Sequence, residues 1–258
     1  MIDIHCHILP SIDDGPKDEE TSIDMLKIAA EDGIKSIIAT PHFEEMIKPT
    51  VADVKDRISM LKQKAAALGI NLYTGMEVYL TPETPDDLKK GKLLTLADSK
   101  YLLVEFPFQQ IPPYIDNILF EIMVQGKVPV IAHPERYREI IDNPNILLKY
   151  LDKGALAQVN SWSIMGYFGP DIKTCAKSLV SHNMVHFLAS DAHSNRKRKP
   201  ILTDALEKIT QFAGTETADT LTQNATKILK DAVVVSNHQP IQKKRSLLSY
   251  LPKVSIFN

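Results

Sequence analysis

His5 and His7, two residues apart, follow the first apolar run of the chain, and Asp191 and His193 repeat that spacing after a run near its other end. Residues two apart on a β-strand point to one face. Each pair would therefore project into one cavity, while Ile4 and Cys6 face the opposite packing layer. Pairs separated by so much chain can meet only if the first and last strands are neighbours, as in a closed barrel. The residue types are those of a metal site assembled from both ends of the chain.

The remaining pattern agrees with a barrel. Short apolar runs alternate with longer amphipathic ones, as β/α units around a parallel sheet require. Strands are expected at Met1–His5, Lys35–Ala39, Asn71–Gly75, Tyr101–Glu105, Val128–Ala132, Ala155–Val159 and Val185–Ala189. Helical spacing covers Glu19–Glu31, Val51–Leu68, Tyr114–Gln125, Asn145–Asp152 and Asp171–Ser181, then Ile201–Phe212 and Thr217–Lys230. Gly33, Gly69, Gly126 and Gly154 stand where four of these helices should stop. The expected fold is α/β, a distorted (β/α)7 TIM-like barrel over residues 1–234. Glu44–Thr50 and Leu80–Thr95 read as long polar loops, and residues 235–258 as a tail, docked or mobile, that carries Lys243, Lys244 and Arg245 before Leu247, Leu248, Tyr250 and Leu251.

Parallel barrels carry their chemistry at the C-terminal ends of the strands, and the ionisable residues fall there. Strand one leads to His5, His7 and the Asp13-Asp14 loop, and strand two to His42. Strand three ends at Glu77, strand four at Glu105, strand five at His133 with Arg136, and strand seven at Asp191 and His193. Only strand six ends in amides, Gln158 and Asn160. Taken singly, His42 reads as a turn residue, Glu105 as a salt-bridge partner and Asp14 as a helix cap near Asp18. Taken together they form a nitrogen–oxygen set without thiolate, suited to Mn, Fe, Zn or Mg. The set is too large for one tetrahedral ion, and two or three ions joined by bridging carboxylates fit it. Such centres activate water and clamp phosphoryl oxygens. Arg136 cannot ligate a metal; it either forks onto phosphate or pairs with Glu135 or Glu139. Arg138 and the Arg196–Lys199 cluster add positive potential at the same mouth. His182, His186 and His238 fit no strand end and read as structural or surface residues.

Composition excludes several classes. A net charge of -2 gives no general attraction to nucleic acid. Two cysteines among 258 residues make no disulfide framework. No apolar run reaches the roughly 18–20 residues of a membrane span, no signal peptide precedes the first strand, and a cytoplasmic location is expected. A cysteine-based phosphatase needs an arginine six residues after its thiolate. Ile12 and Ser181 occupy those positions, and Cys6 is assigned to packing.

His5-x-His7, Thr40-Pro-His42, His133-Pro-Glu-Arg136 and Ser190-Asp-Ala-His193 closely resemble the motifs of the PHP superfamily, the polymerase-and-histidinol-phosphatase metal hydrolases. The opening Asp3-Ile-His-x-His-Ile-Leu-Pro10 with Ile12-Asp-Asp-Gly-Pro16 resembles its capsule-type bacterial protein-tyrosine phosphatases. The resemblance spans residues 1 to about 230. It implies a trinuclear, usually manganese-dependent centre, and as substrate phosphotyrosine on a bacterial tyrosine kinase that controls capsule or exopolysaccharide synthesis. Position by position it implies that His5, His7, Glu77 and Asp191 hold one ion. Glu77 would bridge to a second ion held by Glu105 and His133, and Asp14, His42 and His193 would hold a third. Arg136 would bind phosphate, and hydrolysis would be direct, by a metal-bridging hydroxide, with His42 or His193 assisting the leaving group. The alternatives are a histidinol-phosphate type of small-molecule phosphatase, a phosphodiesterase, or a non-catalytic regulator docked on a kinase.

Overall fold

The computed structural model describes residues 1–242, and the basic and apolar positions at 243–251 lie outside the described residues. Nine strands occur among the described residues: β1 (Ile2–Cys6), β2 (Ser36–Ala39), β3 (His42–Phe43), β4 (Asn71–Thr74), β5 (Glu77–Tyr79), β6 (Tyr101–Glu105), β7 (Val128–Ala132), β8 (Leu156–Asn160) and β9 (Phe187–Ala189). All pair in parallel, in the orders β1-β2-β4 and β3-β5-β6-β7-β8-β9. Only Thr40-Pro41 separates β2 from β3, and only Gly75-Met76 separates β4 from β5, so the nine strands trace seven paths. The ends meet between β1 and the residues after β9. Asp191 N–H donates to His5 O at 2.8 Å, His7 N–H donates to Ala192 O at 2.9 Å, and Cys6 bridges Ala192 in parallel. Asp3 adds a side-chain tie, accepting Ser190 N–H at 3.0 Å and Ser190 O–H at 2.5 Å.

Helices α1 (Glu19–Glu31), α2 (Val51–Ala67), α3 (Thr84–Lys89), α4 (Ile115–Val124), α5 (Arg138–Asp142), α6 (Leu148–Leu151), α7 (Ser161–Met165), α8 (Pro170–Ser181), α9 (Thr203–Ala213) and α10 (Thr215–Leu229) connect or cover the strands. Local chemistry sets the ends of the long ones. The Asp18 carboxylate accepts Thr21 N–H at the start of α1, and Thr50 with Asp53 forms a capping box on α2. Asp18, not Asp14, is thus the cap, which leaves Asp14 for the mouth. Gly33 and Gly69 take φ of +83° and +73° just past α1 and α2, a conformation that costs glycine least.

Two apolar layers result. Ile4, Ile38, Leu103, Val130, Leu156 and Phe187 pack inside the ring of strands, whereas Cys6, Ile37, Leu102, Ile131, Val159 and Leu188 pack between strands and helices. Ile4 and Cys6 therefore face different layers, not the same one as strict alternation implies. The cause is a register shift in β1 between Asp3 and Cys6. It keeps Ile4 inside while turning His5 toward the mouth above it.

Other departures from the sequence pattern have local causes. The expected Leu80–Thr95 loop contains the short helix α3. Asn145–Asp152 is a 3₁₀ turn, Pro144–Leu147, followed by α6. Helices α5 and α7 span five residues each, too few for a readable period. After α10 the chain runs along the N-terminal ends of the strands. Tyr101 O–H donates to Ala232 O at 2.5 Å, Gln239 N–H to His182 O at 2.9 Å, and Ile241 N–H to Asn145 Oδ1 at 2.8 Å. The described part of the tail, 235–242, is thus docked. Among the described residues no helix is long and apolar enough to cross a membrane.

Candidate metal centre

Nine side chains from six strand ends converge above the inner apolar layer. His5, His7, Glu77 and Asp191 form one group of possible ligands; His7, Asp14, His42 and His193 form a second; His42, Glu77 and Glu105 form a third. His133 joins the third group, its Nε2 being 2.8 Å from Glu77 Oε1 and 3.5 Å from Glu105 Oε1. Every ligand position named from the sequence is therefore in this cluster. The strand breaks contribute directly, because they let β3 pair with β5 in the register that sets His42 beside Glu77.

The imidazoles are held by the nitrogen they do not offer. His5 Nδ1–H donates to Gln158 Oε1 at 3.0 Å, His7 Nδ1–H to Asp13 Oδ2 at 2.7 Å, and His193 Nδ1–H to the Asp191 carbonyl at 3.0 Å. Each is left with an Nε2 lone pair aimed into the cluster, the arrangement of metal-binding histidines. The Nε2 atoms of His5 and His7 face each other at 3.2 Å. Nitrogens so placed must share a proton or a metal cation, because two bare lone pairs would repel. Glu77 Oε2 lies 3.2 Å from both of these nitrogens and 3.0 Å from His42 Nδ1, yet among the described residues it has no hydrogen-bond partner of good geometry. These atoms converge on shared space, as ligands of an ion do.

Electrostatics point the same way. Burial disfavours the protonated form of His5, but the carboxylates of Glu77 and Asp191 outweigh it and push its pKa up to about 9. Burial likewise opposes protonation of His42, and Glu77 again outweighs it, raising the pKa to about 10. Burial and the adjacent Glu77 charge hold Glu105 well above the usual carboxylate range. Burial followed by the Arg136 charge brings His133 down to about 4. Two of its histidines, His5 and His42, and the carboxyl of Glu105 are all pushed toward their protonated forms by neighbouring carboxylates or burial, a local excess of negative charge that divalent ions would offset. Burial holds both thiols protonated, Cys175 at about 12 and Cys6 well above its ordinary value, so neither is a nucleophile.

Asp191 faces two ways. Its Oδ1 lies 3.5 Å from Nε2 of His5 and of His7, while its Oδ2 lies 2.6 Å from Arg198 Nη2, 3.2 Å from Arg136 Nη1 and 2.6 Å from Asn160 Nδ2. Its φ of +51° and that of His133, +31°, are left-handed, a local strain common at functional sites. Arg136 thus reaches the cluster rather than Glu135 or Glu139, which accept backbone N–H groups of Asn160 and Ile111. Arg138 does not reach it: its guanidinium is exposed and pairs with Asp142 one helical turn on, a contact its place on α5 favours.

Asp13, Gln158, Asn160 and Arg198 complete the surroundings. Asp13 was legible only as half of an acidic doublet and Arg198 only as part of a basic run. Phe43 and Tyr79, one and two residues beyond His42 and Glu77, line a cavity of about 610 Å³ that shares Phe43, Lys48, Asp87 and Lys92 with an adjoining one of about 470 Å³; none of the nine cluster residues lines either.

The profile of the family described as capsular polysaccharide synthesis, CpsB/CapC, matches residues 1–230. The tyrosine-protein phosphatase YwqE of Bacillus subtilis is 39% identical over 253 residues, covering 97% of this chain and all of that protein. The tyrosine-protein phosphatase CpsB of Streptococcus pneumoniae is 31% identical, covering 91% of this chain and 100% of its own. A crystal structure from work on those two proteins, described as metal-dependent tyrosine phosphatases, superposes with a TM-score of 0.90 at 38% identity, over 94% of this chain and 100% of the other.

Proposed function

The chain belongs to the CpsB/CapC family, and from that premise we propose that it is a metal-dependent protein-tyrosine phosphatase acting on phosphotyrosine of a bacterial tyrosine kinase that regulates capsule or exopolysaccharide synthesis. The observation that carries the reading is the convergence of three Nε2 lone pairs and four carboxylates on one strand-end cavity. His5, His7, Asp14, His42, Glu77, Glu105, His133, Asp191 and His193 would hold two or three ions, with manganese as the proposed metal. Ions there supply Lewis acidity and water of lowered pKa. Residues 1–234 form the catalytic unit in this reading, and its place of action is the cytoplasm.

The protein's own groups have distinct tasks. Arg136 and Arg198, both mostly buried and both turned toward Asp191, bind the phosphoryl oxygens and offset the charge that builds on them. His42 and His193 are the ligand imidazoles with the most exposure, at 17% and 9% of the side chain, and stand where the phenolate leaves. A phenol has a pKa of about 10, so its departure needs little protonation. The two adjoining cavities give room for residues flanking the phosphotyrosine.

Purified full-length protein should hydrolyse a phosphotyrosyl peptide with added manganese, and His5→Ala or excess chelator should abolish turnover. Parallel assays on histidinol phosphate and an oligonucleotide separate the small-molecule phosphatase and phosphodiesterase alternatives. Turnover that survives His5→Ala would defeat the proposal, and no turnover on any phosphorylated kinase tail would favour a docking regulator.

A further inference from the structure

Above the mouth, aromatic rings and guanidiniums alternate. Arg136 Cζ lies 4.7 Å from the centroid of Phe108 and 5.0 Å from that of Phe168, and Arg198 Cζ lies 5.7 Å from Phe168. The order is Phe108, Arg136, Phe168, Arg198. Four different connections supply these residues: the loop after β6, the 3₁₀ turn Pro134–Arg136 after β7, the loop between α7 and α8, and the loop after β9. Phe108 in turn stacks on the His133 ring, with centroids 5.7 Å apart and planes 19° from parallel. The stack therefore rests on the ligand cluster itself.

We propose that Phe108 and Phe168 are positioning residues for phosphate, holding the Arg136 and Arg198 guanidiniums by their faces so that their in-plane N–H groups meet the phosphoryl oxygens. The proposal rests on the phosphatase reading above and adds residues to it. A carboxylate that held these guanidiniums would consume the donors phosphate needs and cancel their charge. A ring face does neither, because a guanidinium stacks on it through its π surface while its donors stay free at the rim. One donor stands unused: Arg198 Nε is buried and has no hydrogen-bond partner among the described residues. Among the described residues one carboxylate, Asp191, touches both arginines; its Oδ2 takes Nη1 of Arg136 and Nη2 of Arg198, one nitrogen of each guanidinium, while its Oδ1 belongs to the proposed ligand set.

The test uses the full-length manganese-loaded protein and inorganic phosphate. Affinity is read by calorimetric titration, and separately as the competitive inhibition constant against a phosphotyrosyl peptide. Phe168→Leu and Phe108→Leu keep apolar bulk and remove the ring. Each should weaken phosphate roughly threefold to tenfold and raise KM in parallel, with kcat changed less. Phe168→Tyr, which keeps the face, should stay within about twofold of wild type. In an Arg136→Lys background Phe108→Leu should have little further effect, because Phe108 faces Arg136 alone and a lysine offers no plane to stack. If both leucine variants bind phosphate as wild type does, or if the Phe108→Leu effect adds fully to Arg136→Lys, the rings are packing alone and the proposal is overturned. Thermal melting identifies a variant that fails to fold, in which case the other leucine variant decides. Phosphate that binds without peptide turnover would count against the phosphatase reading and leave the stack measurable by titration.

Discussion

Asp13 Oδ2 receives the Nδ1 proton of His7 at 2.7 Å and the backbone N–H of His42 at 3.1 Å, so one buried carboxylate fixes ligands on two strand paths. Asp13→Asn keeps the size but removes the charge that holds the His7 tautomer. Metal affinity, measured by competition with a chromogenic chelator, is expected to fall on the order of 10- to 100-fold, as for other partners of ligating histidines. An unchanged affinity would mean that His7 is oriented by other contacts. At this scale the ligands themselves were legible in the sequence, because a strand end is a local feature and a histidine there is conspicuous. Their supports were not. Nothing local distinguishes Asp13 from Asp14, yet Asp13 is the buried partner of His7 while Asp14, 60% exposed, lies between His42 and His193. Phe108 and Phe168 gave no signal at all, since a phenylalanine in a loop has no periodicity to read.

The elements that build the mouth are the strands that stop and restart. Gly75 fills the gap between β4 and β5, where a Cβ would lie 3.0 Å from Ile38 Cγ2 and 3.2 Å from both Leu96 Cδ2 and Thr40 Cγ2. Gly75→Ala is expected to destabilise by about 1–3 kcal/mol through overpacking. It should also weaken metal binding, because Glu77 lies two residues on. Denaturant melts of the metal-free protein separate the two effects, and a variant as stable as wild type would show that the gap yields. Long helices with caps were readable: α1 spans the residues expected of it and α2 ends one residue early. The strand breaks were not, because Thr40-Pro41 and Gly75-Met76 read as strand ends, and the pairing of β3 with β5 depends on neighbours far along the chain.

On the side opposite the mouth, a hydrogen-bonded chain pins the tail to the barrel. Ala157 N–H donates to His186 Nδ1 at 3.1 Å and His186 Nε2–H to Ser236 Oγ at 2.6 Å. Ser236 O–H donates to His238 Nδ1 at 2.8 Å, and His238 Nε2–H to Asp152 at 2.8 Å. The first link needs a neutral His186, whose Nδ1 must accept, and burial followed by the His238 charge lowers its pKa to about 4 from 6.5. The unfolded chain therefore binds the extra proton first, so stability rises with pH. It is fully present above about pH 6.5 and lost as pH falls toward 4, by up to about 3 kcal/mol. His186→Gln should flatten that part of the stability profile in urea melts between pH 4 and 7. An unaltered slope would place the acid sensitivity elsewhere. The joining of first strand to last has a consequence in time. His5 and His7 are made well before Asp191, His193 and the Ser190 that secures Asp3. At about 5–20 residues per second, roughly ten to forty seconds separate them on the ribosome. Until then the two proposed ligand groups that use Asp191 or His193 each lack a member, so a complete centre forms only after that stretch is made and reports that the ring has shut.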